Sequence, residues 1–397
     1  MKSILILSHT MELGGAEKSL LGLLNAIDSK KYQVDLFLMR HEGSLLEDIP
    51  SNVRLMPEIP EYTVLARPLK SVIREKHFIL AFARMIGKIK AKSFEKRKNI
   101  TDSGIGLEYS HKYTAPFMPK IQNQKVYDMA ISFLTPHYFV EQKVCAKKKI
   151  AWIHTDYSKV QVNFESELKM WMKYDNIVSI SDAVTESFLR VFPDLKEKIV
   201  LIENILPEQL IYKQMNAFDV SEEMSTDSIN LLSIGRYCYA KNFDNIPNIC
   251  TRILQNGINI TWYIIGFGGD EELIKEKIKE ERMENHVILL GKKQNPYPYI
   301  KACDIYVQPS RYEGKSVAVR EAQLLNKPVI ITEYETAKSQ LEDNIDGVIV
   351  PMENEECANR ISEVLYDNEL LKKISEECEK RDYSNKKEVE KLYSLFE

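Results

Sequence analysis

Short apolar runs alternate with amphipathic segments along this 397-residue chain, stop near the middle and then start again. In the first half "ILIL" (4–7), "VDLFLM" (34–39), "DMAISF" (128–133), "KIAWIH" (149–154), "NIVSIS" (176–181) and "IVLI" (199–202) have the length and apolar content of buried strands. Helical patterns lie between several of them, as at 16–27, where Leu20, Leu21, Leu24 and Ile27 share one face. Strands alternating with helices form parallel sheets, because a right-handed helical crossover brings the chain back to lay the next strand beside the last. The polar, poorly periodic stretch 203–228 interrupts this pattern. It resumes with "INLLSIG" (229–235), "NITWYIIG" (259–266), "HVILLG" (286–291), "CDIYVQPS" (303–310), "KPVIIT" (327–332) and "GVIV" (347–350). The expectation is two doubly wound α/β units with a boundary near Leu206 and a cleft between their strand carboxyl ends. A last helix is expected in "KKEVEKLYSLFE", whose Val389, Leu392, Leu395 and Phe396 need a partner surface.

Composition removes other classes. With 44% hydrophobic and 28% charged residues the chain matches a globular enzyme and not a disordered or fibrous one. Its six cysteines are scattered without metal-ligand spacing, as expected of reduced thiols in a cytoplasmic protein. The N-terminal apolar run is too short for a signal sequence, and no run approaches the ~20 residues of a membrane span. The formal charge of −4 hides an asymmetry: through Leu206 there are 30 Lys and Arg against 24 Asp and Glu, and beyond it 24 against 34.

Three stretches can carry chemistry. In "SHTMELGGAEKSL" a strand ends and a helix begins after Gly14 and Gly15, so backbone can approach a ligand and helix N–H groups can meet an anion; a plain tight turn reads equally well. In "SIGRYCYAKNFDNI" a strand ends at Gly235, followed by Arg236 and Lys241. Two cations at a sheet edge suit a diphosphate, arginine by its planar fork and lysine as a mobile charge, though solvated loop cations are the bland alternative. In "SRYEGKSVAVREA" a turn holds Glu313, and a helix begins near Ser316 with Glu321 about one and a half turns in. Lys315 at a helix start opposes the macrodipole unless an anion lies near Gly314, Lys315, Ser316 and Val317; the alternative is an ordinary start with Ser316 as N-cap.

Taken in order, Gly14-Gly15, Gly235-Arg236 with Lys241, and Glu313 and Glu321 with seven residues between them resemble the retaining GT-B glycosyltransferases of family 4. The resemblance covers nearly the whole chain and is most specific from 229 to 351. It implies two Rossmann-like domains facing each other across a cleft: an acceptor domain 1–206, a nucleotide-sugar domain 207–383, and a helix 384–397 crossing back to the first. It implies that Glu321 binds the ribose hydroxyls and Glu313 the donor-sugar hydroxyls. Arg236 and Lys241 would hold the diphosphate and stabilise the leaving group without a metal or other cofactor, the donor being a nucleotide-diphosphate sugar, UDP type first. His154 in "AWIHTDY" is similar to the family's histidine facing the donor sugar, although a strand-end histidine is often a structural hydrogen-bonder. Lys293 and Asn295, in "GKKQNPYP", match the position of the base-reading loop. Where the family usually carries Gly-aromatic-Gly after the first glutamate, this chain has Gly314-Lys315-Ser316.

From Arg67 to Lys98 eleven Lys and Arg face only Glu75 and Glu95, interleaved with Phe78, Ile79, Leu80, Phe82, Met85, Ile86, Ile89 and Phe94. A basic amphipathic helix of this kind reads as an anionic membrane-surface element, with Arg84, Lys88, Lys90 and Lys92 on the membrane or acceptor side; the alternative is a solvated helix packed on its domain. The acidic second half and the absence of a binding motif argue against nucleic acid. The functional expectation is a cytoplasmic, peripherally membrane-associated transferase that moves a sugar to a lipid-linked or saccharide acceptor in bacterial capsule or exopolysaccharide assembly. A nucleotide-sugar epimerase or synthase of the same fold, and a non-catalytic sugar-nucleotide-binding subunit, are the competing readings.

Overall fold

A computed structural model describes residues 1–396 except Leu13, 101–103, Asn123, Asp156, Ser158 and Lys159. The chain divides into two compact units, Met1–Leu206 joined by the residues from Asn385 on, and Pro207–Ser384.

The first unit holds seven parallel strands: β1 (Lys2–Ser8), β2 (Tyr32–Leu38), β3 (Arg54–Leu55), β4 (Tyr127–Ser132), β5 (Ala146–Ile153), β6 (Asn176–Ser179) and β7 (Ile199–Leu201), in the order β3-β2-β1-β4-β5-β6-β7. The chain winds outward from β1 to β3 and returns to the other side of β1, so a topological switch lies between β1 and β4. The second unit repeats this plan with β8 (Ile229–Arg236), β9 (Ile260–Phe267), β10 (Val287–Gly291), β11 (Ile305–Gln308), β12 (Val329–Thr332) and β13 (Val348–Val350), ordered β10-β9-β8-β11-β12-β13, with its switch between β8 and β11. Central strands are buried along nearly their whole length because helices cover both faces of each sheet. Trp171 lies in the core cluster of the first unit and Trp262 in that of the second, and Trp152 on β5 is also buried. In the first sheet the one buried acid of β2, Asp35, is satisfied by Arg54 Nε at 2.8 Å, Lys125 Nζ at 3.0 Å and the Tyr127 hydroxyl at 2.6 Å.

The expected linker 203–228 is partly structured: Glu208–Gln214 is a helix burying Leu210 and Ile211 within the second unit. The expected basic helix is two helices, Leu69–Arg74 and Phe78–Lys98, because Lys76 takes φ of 66° and breaks the first. The terminal helix is a single turn and a half, Val389–Ser394. Tyr393 stacks on Tyr32 with centroids 4.3 Å apart and accepts a hydrogen bond from the Asp28 backbone at 2.8 Å, and Phe396 also stacks on Tyr32, with centroids 5.2 Å apart.

Candidate functional site

Ligands of doubly wound sheets bind beyond the strand carboxyl ends at the switch point. In the second unit β8 ends there in Gly235 and Arg236, and β11 leads there into Ser310 and Glu313. Beyond β8 the chain makes a turn at Tyr239–Lys241 and reverses at Asn242, whose φ is 60°. The reversal lays the stem of Lys241 over Gly235, where a Cβ would come within 3.0 Å of Lys241 Cε. Close approach continues at Gly266 on β9: a Cβ there would lie 1.9 Å from the Gly235 carbonyl oxygen, so only glycine lets the two strand ends meet.

The Lys241 ammonium donates to Glu313 Oε1, which also accepts from Ser310 Oγ at 2.7 Å. Ser310 in turn accepts from Gln308 Nε2 at 3.0 Å, and Gln308 Oε1 accepts from the Tyr306 hydroxyl at 2.7 Å, so a buried polar chain fixes the carboxylate from below. Glu313 and Lys241 side chains remain 12% and 19% exposed, and Glu313 Oε2 takes no hydrogen bond among the described residues. The two loops are locked together by Arg311, whose guanidinium forks onto Asp244 at 2.9 and 2.7 Å and lies over the Tyr239 ring. Arg236 stands exposed at the end of β8 with no ion pair among the described residues.

The helix Val317–Leu324 begins after Gly314, Lys315 and Ser316. Ser316 occupies the N-cap position, but its hydroxyl caps nothing; its N–H instead donates to Gln340 Oε1 at 2.7 Å. The first-turn N–H groups thus have no side-chain cap, which keeps them available to an anion. Glu321, one turn in and 4% exposed, accepts at Oε1 from the Tyr297 hydroxyl at 2.7 Å. Burial beside this carboxylate pushes the Tyr297 phenol well above its ordinary range, so it stays a donor. Lys293 and Asn295 are taken up elsewhere: Lys293 pairs with Glu223 at 2.8 Å and Asn295 donates to the Gln214 carbonyl at 2.8 Å.

In the first unit Gly14 caps the helix Gly15–Ala26 in extended conformation, and the Glu17 carboxylate folds back so closely that a Cβ on Gly14 would lie 2.1 Å from it. Gly15 is open. His154 follows β5, packs at a tilt on Phe133 with centroids 4.5 Å apart, and has its Nε2 buried without a hydrogen bond among the described residues. Burial lowers its pKa to about 3. It has company that sequence reasoning missed. His9, beyond β1, has an Nε2 with no partner among the described residues and a pKa lowered by burial to about 4. His111 and His137 are buried, each with one ring nitrogen that has no partner among the described residues, and both are held well below their ordinary range, first by burial and then by the other histidines. Four neutral imidazoles therefore gather near the first switch point. Beneath them Glu108 accepts from the Ser166 and Tyr138 hydroxyls, and Glu167 accepts from the Tyr157 hydroxyl at 2.9 Å. No sequence spacing joins these residues; sheet order does.

On the helix Phe78–Lys98, Lys88, Lys90 and Lys92 are exposed, whereas Arg84 turns inward and donates to the carbonyls of Val64 and Arg67. Arg84 therefore does not belong with the outward lysines. Its guanidinium is a clamp between the helix and the preceding turn.

Residues 215–381 match the family model of glycosyl transferases group 1. The second unit is a glycosyl transferases group 1 domain. This group 1 domain contains every residue of the Arg236, Lys241, Glu313 and Glu321 set. Over 374 residues the chain is 22% identical to the N-acetylgalactosamine-N,N'-diacetylbacillosaminyl-diphospho-undecaprenol 4-alpha-N-acetylgalactosaminyltransferase of Campylobacter jejuni, covering 94% of this chain and 92% of that one. Among solved structures, S. aureus TarM in complex with Fondaparinux, alpha-GlcNAc-glycerol and UDP superposes over the whole of both chains with a TM-score of 0.65 at 14% identity. Anabaena HepE in complex with UDP and glucose gives a TM-score of 0.62 at 16% identity, over 99% of this chain and 100% of that one. These likenesses give the chain the GT-B fold around its group 1 domain.

Proposed function

We propose that the chain is a retaining glycosyltransferase that moves a sugar from a nucleotide-diphosphate sugar, UDP type, to a lipid-linked or saccharide acceptor in bacterial surface-polysaccharide assembly. The observation that carries the reading is the second switch point, where Lys241 lies over Gly235, Glu313 keeps one carboxylate oxygen unbonded, and an uncapped helix start lies beside Ser316. The UDP in the complexes of TarM and HepE, and the undecaprenol diphosphate in the name of the Campylobacter relative, support the donor and acceptor classes.

In this reading Arg236 and Lys241 bind the diphosphate together with the first-turn N–H groups from Val317 on, beside Ser316, and the turn at Gly314 and Lys315. Glu321, held by Tyr297, takes the ribose hydroxyls, and Glu313 Oε2 accepts from a donor-sugar hydroxyl. The bond from the anomeric carbon to the phosphate oxygen breaks, and its electron pair leaves with the nucleoside diphosphate. Negative charge grows on that oxygen, and fixed cations stabilise it more than the ground state, which lowers the barrier. The acceptor oxygen bonds to the same face of the sugar and its proton passes to the departing phosphate. The two cations supply the charge that a metal would bring elsewhere, so turnover is expected to be metal-independent. His154, kept neutral by burial, is with Gly14 and Gly15 the first unit's proposed contribution to sugar binding. Lys293 and Asn295, bound to Glu223 and to the Gln214 carbonyl, shape the loop that would flank the base.

The test is a thermal-shift and donor-hydrolysis screen against UDP-, GDP-, dTDP- and ADP-sugars, with and without EDTA, on the wild type and on Arg236→Ala. Stabilisation by one nucleotide class, hydrolysis that survives EDTA, and loss of turnover in Arg236→Ala with donor still bound support the reading. Stabilisation by none of them overturns it.

A further inference from the structure

The geometry points to the helix Phe78–Lys98 as a docking face for an anionic lipid surface, with Phe78, Phe82, Met85 and Ile89 inserting between headgroups and lysines on both flanks meeting lipid phosphates. These four side chains, spaced four, three and four residues apart, form one stripe along the helix, and they are 60, 59, 44 and 59% exposed. An amphipathic helix of a globular domain normally turns such a stripe inward. Here the inward face is built of other residues. Leu80, Ala83, Gly87 and Ala91 are buried, and Ala91 packs with Ile105 and Tyr109 of the helix Ile105–Thr114. Gly87 fits so tightly that a Cβ would lie 2.8 Å from the Tyr109 carbonyl oxygen.

Rotation about the helix axis to hide the stripe is blocked twice. It would drive a larger residue than Gly87 into that carbonyl, and it would pull Arg84 from the carbonyls of Val64 and Arg67. The fold thus holds the apolar stripe outward. Around it Lys88 and Lys92 line one flank and Lys90 and Arg97 the other, Lys96 continues the line of the stripe toward the helix carboxyl end, all five are exposed, and Glu95 is the helix's single acid. Next to the stripe, Ile79 and, from the preceding helix, Ile73 add 64% and 49% exposed apolar side chains. A protein partner buries an apolar core inside a rim of mixed polarity. A stripe flanked by one sign of charge along its length complements a surface that is uniformly negative and apolar beneath, which is an anionic leaflet. No described helix is long and apolar enough to cross a membrane, so the contact is with the surface. The inference adds a partner to the proposed reading and rests on it only for what the membrane would hold; the binding itself is independent of catalysis.

The experiment is co-sedimentation of the full chain with vesicles of phosphatidylglycerol mixed with phosphatidylcholine, and with pure phosphatidylcholine. It is run at low and high salt on the wild type, Phe82→Glu, Ile89→Glu, and the triple change of Lys88, Lys90 and Lys92 to Glu. Each altered side chain is exposed, so melting temperatures are expected to stay at the wild-type value. The expected result is binding to the anionic vesicles only, weakened by salt, and reduced at least about tenfold by Phe82→Glu or Ile89→Glu and by the triple change. No binding to anionic vesicles, or binding that Phe82→Glu and Ile89→Glu leave unchanged, overturns it. So does a soluble dimer that Phe82→Glu dissociates, since the stripe would then cover a second copy. Turnover of a water-soluble acceptor, measured on the same variants, is expected to persist and reports separately on the catalytic reading.

Discussion

Replacing Glu167 by glutamine should stabilise the first unit at alkaline pH and leave it nearly unchanged in acid. Glu167 lies on the helix Phe164–Trp171, is 7% exposed, and accepts from the Tyr157 hydroxyl at 2.9 Å and from Trp171 Nε1 at 3.3 Å, with no cation paired to it among the described residues. Burial raises its pKa from 4.5 to about 7, and the Glu108 charge pushes the same way. The folded chain therefore keeps the proton while the unfolded chain releases it above its ordinary value. Unfolding is accompanied by proton release between those two values, so stability falls as pH rises through that window and levels off above about 7. The gap between 4.5 and about 7 corresponds to about 3 kcal/mol at the alkaline end. Glutamine carries no charge at any pH, and its amide oxygen can accept the same two hydrogen bonds. The assay is urea unfolding of both proteins at about pH 5 and about pH 8, followed by tryptophan fluorescence. Trp152 and Trp171 report on the first unit and Trp262 on the second. Nearby histidines titrate in both proteins and cancel in the comparison. A stability difference between the proteins that is the same at both pH values would refute the reasoning, because Glu167 would then ionise normally.

Other outcomes follow from the same geometry. Acidification should destabilise the first unit, because His9 and His154 stay neutral to about 4 and about 3 when folded but bind protons below their ordinary 6.5 when unfolded. His9→Gln should flatten that acid limb in a melting-temperature profile. Tyr297→Phe leaves Glu321 short of its buried donor at 2.7 Å, and should weaken donor binding by about tenfold in calorimetry with little change in turnover at saturation. Gly266→Ala drives a methyl into the Gly235 carbonyl, and should cost about 1–3 kcal/mol of stability and lower donor affinity by parting the ends of β8 and β9.

Much of this architecture was legible from period and length. Each of the twelve apolar runs coincides with a strand, because buried parallel strands leave a continuous apolar signature that does not depend on their neighbours. The thirteenth, Arg54–Leu55, was not, since two residues carry no period. The site was legible where a motif is local. Gly235, Arg236 and Lys241 fall within seven residues, and Glu313 and Glu321 flank one turn and helix start. What escaped was whatever holds those groups from a distance. Tyr297 reaches Glu321 across 24 positions, and Asp244 reaches Arg311 across 67; neither separation leaves a mark on a single sequence. The histidines at positions 9, 111, 137 and 154 are gathered only by the order of β1, β4 and β5 and by one covering helix. The basic segment announced a charged amphipathic helix, but which face turns inward was decided by the small residues Ala83, Gly87 and Ala91 and not by the large ones.

The return of the chain to its first unit sets the order in which the protein can be completed during synthesis. Glu203 donates its backbone N–H to Glu388 and accepts from Asn385, and Tyr32 waits for Tyr393 and Phe396. The second unit is one unbroken span, so it can close on itself as soon as Ser384 has left the ribosome. The first unit, although its sheet is made earlier, keeps an uncovered flank until residues 385–396 have been made. A chain stopped at Ser384 would therefore display a finished second unit on an unfinished first, and a bulky group attached to Tyr393 or Phe396 would burden the earlier-made half of the molecule.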